Sequence, residues 1–129
     1  NCYSLAISAV VPRPIALVST VGTKRMPNLS PFSYFGLMGH DPPLVQFAVS
    51  RNRDGSKKDT LVNVEESNEF VVNMISEWFV ESANYTCGNW PYEVNEFAIS
   101  GLTEIPSIKV SPPRCKESAV QLECIVESV

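Results

Sequence analysis

The sequence predicts a mostly β protein, an antiparallel barrel with peripheral helices. Strand-like segments rich in β-branched residues dominate the chain, only two segments have a convincing helical period, and strict strand–helix–strand alternation is nearly absent. A length of 129 residues fits one domain, spanning 1–129.

The first strand is expected between Ser8 and Val21, through Val10, Val11 and the run Ile15 to Val21, entered at an irregular edge made by Pro12 and Pro14. Gly22 to Pro27 reads as a polar turn containing Lys24 and Arg25. Asn28 to Met38 carries Phe32, Tyr34 and Phe35 with no helical period, so it reads as extended. After His40-Asp41-Pro42-Pro43, Leu44 to Val49 reads as another buried strand. Arg51 to Lys58 is a basic loop. Ser56 and Asp59 have capping-box spacing ahead of Leu61, Val62 and Val64, which predicts a helix starting near Asp59.

Phe70 to Ile75 reads as a strand, and Ser76 to Cys87 as a helix with Phe79, Val80 and Ala83 on one face, ended by Gly88. Phe97 to Ile99 and Ile105 to Val110 are too short to assign. Ser118 to Val129 alternates apolar and polar residues (Val120, Leu122, Cys124, Val126), the pattern of a half-buried strand. The first residue is not Met, so the native N-terminus is expected elsewhere. The last strand runs to the final residue without a turn. A native C-terminal segment is therefore expected beyond the sequence in hand.

Composition excludes several classes of function. With 44% hydrophobic residues the chain is too apolar to be disordered, and a net charge of −4 argues against nucleic-acid or anionic-membrane partners. No apolar run approaches the ~18 residues needed to span a bilayer. Cys2, Cys87, Cys115 and Cys124 include no CxxC pair, and the single histidine, His40, cannot complete a zinc site with them. Reduced thiols in a cytoplasmic protein, with no metal, are the expectation. The glycines form neither GxGxxG nor a phosphate-binding Walker loop. His40 and Asp41 are adjacent on an extended stretch, so they point to opposite faces rather than forming a base and its orienter.

The charge is uneven. Residues 1–60 hold seven Lys/Arg against three Asp, whereas residues 61–129 hold three against eleven acidic residues. This directs a search for an anionic ligand to the first half, although scattered solvated faces give the same count. Two constellations there could carry chemistry. Arg51 to Thr60 is a Gly-containing basic loop that enters a helix, so Lys58, the Thr60 hydroxyl and the free helix amides could jointly hold a phosphate. An ordinary capped helix with exposed lysines has the same pattern. Asn28 to Phe35 interleaves short polar side chains with aromatics, which suits a ligand with hydrogen-bonding edges and flat apolar faces. An aromatic core strand fits those residues equally.

Taken in order, Val11-Pro12-Arg13-Pro14-Ile15-Ala16-Leu17-Val18-Ser19-Thr20, Pro27 to Phe35, Asp41-Pro42-Pro43-Leu44, Lys58-Asp59-Thr60-Leu61-Val62-Asn63 and Glu69-Phe70-Val71-Val72-Asn73 resemble the flavin reductase-like family of FMN-binding split barrels. The resemblance runs from about Tyr3 to Val126. It implies an antiparallel split β-barrel that binds FMN non-covalently, with the segments of Ser19, Thr20, Asn28, Ser30, Phe32 and Ser33 along the flavin and those of Lys58, Asp59 and Thr60 at its phosphate. It implies a homodimer with flavin near the subunit interface. It also implies an oxidoreductase that passes electrons from NADH or NADPH to flavin, most simply a NAD(P)H:flavin reductase. Because the ring does the redox chemistry, no side chain is required as acid or base. The alternative is an FMN-holding electron carrier or partner-binding module without nicotinamide activity, and a third reading is a cofactor-free interaction domain.

Along an extended strand, Asn28, Ser30 and Phe32 are expected to share the ligand side with Ser33, while Leu29 and Tyr34 face away. The Asp59 carboxylate would repel a phosphate, so it is expected to cap backbone amides or pair with a nearby Lys or Arg.

Overall fold

A computed structural model describes residues 1–24 and 26–129. Arg25, in the turn expected before Pro27, lies outside the described residues. The chain runs through α1 (Cys2–Ala9), β1 (Ala16–Val21), β2 (Pro27–Phe32), β3 (Phe35–His40), β4 (Pro43–Phe47), α2 (Asp59–Ser67), β5 (Glu69–Met74), α3 (Val80–Tyr85), α4 (Glu96–Ser100), β6 (Glu104–Ile105), β7 (Arg114–Cys115) and β8 (Gln121–Ile125). Four strands form an antiparallel sheet in the order β2-β1-β5-β8; β3–β4 and β6–β7 are separate antiparallel pairs. The architecture is mostly β with peripheral helices, as the residue pattern predicts.

The β1–β2 register pairs Ala16 with Phe32, Val18 with Ser30 and Thr20 with Asn28. Side chains alternate across the sheet, so these six share one face and Leu17, Ser19 and Leu29 share the other. Each face has its own core. Ala16, Val18, Phe32, Phe70 and Val72 pack with Val64 of α2, against Phe35, Phe47, Leu122 and Cys124. Phe47 joins Phe32 and Phe70 at ring-centroid distances of 5.3 and 5.1 Å. On the other face, Leu17 and Leu29 pack with Phe79, Ala83, Phe97, Leu102 and Cys115. The sheet is thus sandwiched, with α2 over one face and α3–α4 over the other.

Several expected boundaries move. Ser8 and Ala9 end α1, whose first turn is capped by the Asn1 side chain, and β1 begins only at Ala16. Pro12 and Pro14 lack the amide donors a ladder needs, which separates the two elements. Asn28 to Met38 contains two strands, with a bend at Ser33–Tyr34 between them. Leu44 to Val49 is only half-buried, because β4 belongs to a two-stranded hairpin rather than the central sheet. The Ser56 capping box does not form. Lys58 is the N-cap of α2, and the Ser56 amide and hydroxyl both donate to Asp54 Oδ1, at 2.9 and 2.6 Å. Phe97 to Ile99 lies in α4, capped by Asn95.

Candidate functional site

A buried polar network sits where β1, β2 and α2 meet. Thr20, Asn63 and Thr60 are almost fully buried, and Asn28 is 8% exposed. Asn28 Nδ2 donates to Thr60 Oγ1 at 2.9 Å and lies 3.4 Å from Thr20 Oγ1; Asn63 Nδ2 donates to Thr20 Oγ1 at 3.1 Å. The Tyr92 hydroxyl completes the chain by donating to Asn63 Oδ1 at 3.1 Å. Buried amides and hydroxyls are costly without partners, so this network fixes the spacing between edge strand β2 and helix α2.

Two clefts open beside the network. One, of about 260 Å³, is walled by Asn28, Ser30, Lys58, Asp59 and Thr60, and closed on its far side by Glu96 and the Thr86 to Trp90 loop. The other, of about 360 Å³, lies between α1 and the β2–β3 bend, with Arg13, Phe32, Ser33, Tyr34, Ser50 and Lys58 on its wall. Lys58 borders both. The larger volume falls within the roughly 300–1,000 Å³ typical of ligand pockets.

The clefts differ in charge. In the first, two carboxylates, Asp59 and Glu96, share the wall with Lys58. Glu96 is 7% exposed, and its Oε2 accepts from the Leu29 amide of β2 at 3.1 Å. Burial pushes its carboxyl above the usual range. Asp59 is also raised, by burial and then by the nearby Glu93. The second cleft has no Asp or Glu among its described wall residues and carries both Arg13 and Lys58. Cys87, on the first cleft, is an exposed thiol that partial burial raises and Lys58 lowers.

Five of the nine residues expected at a ligand (Asn28, Ser30, Lys58, Asp59, Thr60) border the first cleft, and Phe32 and Ser33 border the second with Lys58. Ser19 and Thr20 reach neither. Ser19 is on the opposite face of β1, where its hydroxyl donates to the Pro113 carbonyl at 2.5 Å. Thr20 stands behind Asn28 as a support. Leu29 does point away from Asn28 and Ser30 into the other core. Tyr34 instead lines the same cleft as Phe32, the side on which alternation from Asn28 places it, and the bend at Ser33–Tyr34 brings Ser33 to that cleft as well. Among the described residues Asp59 makes neither the expected cap nor an ion pair. Glu96, Asn63 and Tyr92 carry no local sequence signal for this site. Arg13, between two prolines, does stand out as a charge on a constrained backbone.

Comparison with known proteins adds identity to this geometry. The family model for the flavin reductase like domain matches residues 8–129. The chain is 44% identical over 127 residues to an uncharacterized protein of Halalkalibacterium halodurans, covering 98% of this chain and 61% of that protein. Among solved structures, it is similar to nitrilotriacetate monooxygenase component B from Bacillus cereus (TM-score 0.94, 36% identity, 98% of this chain and 62% of that one). It is also similar to Pseudomonas fluorescens 2-nitrobenzoate 2-nitroreductase (TM-score 0.84, 34% identity, 96% and 58%). A split-barrel-domain protein from Shewanella frigidimarina shares the fold (TM-score 0.77, 23% identity, 86% and 54%). The chain spans about three-fifths of the length of the curated relatives it matches.

Proposed function

The chain belongs to the flavin reductase-like domain family, and on that premise we propose that it holds FMN non-covalently across the two clefts and passes electrons from NADH or NADPH through it. The observation that carries this reading is the position of Lys58, which borders both clefts at the start of α2. One ligand with an anionic end and a flat end would span them.

The residues present fit such a group. No side chain caps the first turn of α2, so its leading amides remain for a ligand, beside the Lys58 ammonium and the Thr60 hydroxyl. These take the phosphate. Asn28 and Ser30, on the same face of β2, line the route between phosphate and ring, and their spacing is held by Thr20 and Asn63. Phe32 and Tyr34 give the second cleft an apolar, aromatic wall, and Ser33 and Ser50 add hydroxyls for ring edges. Asp59, with no capping role, stays off the phosphate because like charges repel. When bound, FMN supplies two-electron chemistry, while the protein orients it and sets its electrostatics.

A homodimer and a cytoplasmic location belong to the same reading. Support for the first is the apolar surface of α1, where Tyr3 and Leu5 are exposed and no residue is buried. Among the described residues no helix is long and apolar enough to cross a membrane.

The test is an absorbance spectrum of the chain mixed with FMN and desalted, followed by anaerobic NADH or NADPH. Retained yellow colour that the nicotinamide bleaches supports the reading. Retained colour that only a chemical reductant bleaches identifies an electron carrier. Loss of all colour on desalting, together with no FMN binding at titration, rejects it.

A further inference from the structure

We propose that Arg13 makes the cleft between α1 and the β2–β3 bend selective for the anionic, reduced flavin ring, so that the chain binds reduced FMN more tightly than oxidised FMN. The inference rests on the FMN reading above and adds a redox-state preference and the residue that sets it.

Arg13 is half-buried and held by neutral partners. Its Nη1 donates to the Ile7 carbonyl at 2.9 Å and to the Val10 carbonyl at 2.6 Å, at the end of α1, and its Nε lies 3.4 Å from Ser33 Oγ. The guanidinium carbon also lies 6.0 Å from the Tyr34 ring centroid. None of these contacts cancels its charge. The salt bridges among the described residues join Lys57 to Glu65 and Arg114 to Glu123, and neither involves Arg13. No described wall residue of the cleft is acidic. A half-buried cation without a counter-charge is costly, and the cost is relieved when negative charge arrives beside it.

Reduction of the ring supplies that charge. A nicotinamide C–H bond breaks and its hydrogen moves with both electrons to flavin N5, forming an N–H bond. The donor leaves as a cation, and the formerly neutral flavin ring carries one negative charge over N1 and the C2 carbonyl. Arg13 is suited to meet it, since its plane is fixed by three bonds and it stays charged at any working pH. Lys58, on a flexible stem, serves the phosphate, whose charge is present in both redox states. Arg13 therefore distinguishes the states, and by linkage its differential affinity raises the ring's tendency to accept electrons by the same factor.

The experiment measures Kd for FMN, oxidised and then dithionite-reduced under anaerobic conditions at neutral pH, with wild-type chain, Arg13→Gln and Arg13→Lys. Wild type is expected to prefer reduced FMN, Arg13→Gln to lose about tenfold or more of that preference, and Arg13→Lys to keep most of it. A residue that merely anchors α1 would weaken both states equally and leave the ratio unchanged in both variants, which overturns the proposal. Equal binding of the two states by wild type overturns it without any variant. Failure of wild type to bind oxidised FMN at all overturns the FMN reading itself, an outcome distinct from the others.

Discussion

The Asn28 amide donates to the Thr60 hydroxyl at 2.9 Å, and this single bond fastens edge strand β2 to the first turn of α2. It joins residues 32 positions apart that border one cleft. Thr60→Val keeps the shape of the side chain and removes the acceptor, which leaves a buried amide hydrogen short of a partner. We expect a loss of about 1–3 kcal/mol in urea unfolding, with Thr60→Ser retaining most of the stability. Equal losses for Val and Ser would place the effect in the methyl group's packing instead.

Glu96 makes stability depend on pH. Its carboxyl is raised in the fold, first by burial, so the folded chain holds the proton more strongly than the unfolded chain. Its contribution is therefore fully present below the unfolded value and is lost as pH rises through the folded value. Glu96→Gln removes that loss while keeping an oxygen to accept from Leu29. The variant's urea midpoint should fall less than the wild-type midpoint between mildly acidic and neutral pH. Parallel profiles for the two proteins would contradict this.

Gly22 is packed against the same network. A Cβ there would collide with Asn63 Oδ1 and come within 2.8 Å of Glu66 Oε2 and 3.0 Å of the Tyr92 hydroxyl. Asn63 is fully buried and cannot withdraw. Gly22→Ala is expected to cost about 1–3 kcal/mol, read as a lowered thermal midpoint. A midpoint equal to wild type would show that the loop can shift.

The four thiols should react in two classes. Burial pushes Cys115 up to about 12 and Cys124 up to about 11, whereas Cys2 and Cys87 are exposed. A thiol reagent should label Cys2 and Cys87 in the folded chain and the other two only in denaturant, because the thiolate is the nucleophile. Saturating FMN should slow labelling of Cys87, which lines the first cleft, and leave Cys2 unchanged. Equal protection of both would indicate a global change rather than occupancy.

What could be read from the sequence follows the range of the interactions. Alternation along Asn28 to Phe32 is legible because the β ladder imposes it, and α2 is legible because its own period faces the core. Alternation carried one step further puts Tyr34 with Phe32, where it lies, whereas Ser33 reaches the same cleft only because the chain bends at Ser33–Tyr34, a bend that no glycine marks. Glu96 reaches Leu29 across 67 residues, and Arg13 reaches Ser33 across 20. Such partners are set by the tertiary fold, and no local spacing encodes them. Ser19, which the family resemblance implies along the flavin, donates its hydroxyl to the Pro113 carbonyl, a partner 94 residues away that no local spacing encodes either.

The measurement that most directly tests FMN spanning the two clefts compares FMN with riboflavin, which lacks the phosphate, on wild type and Lys58→Ala. Charge-assisted bonds of the kind Lys58 can make to a phosphate are worth roughly 1.5–3 kcal/mol each. Lys58→Ala should therefore weaken FMN about tenfold or more and riboflavin far less. Equal losses for the two ligands would mean that Lys58 supports the ring or the fold, and the phosphate would have to be placed elsewhere.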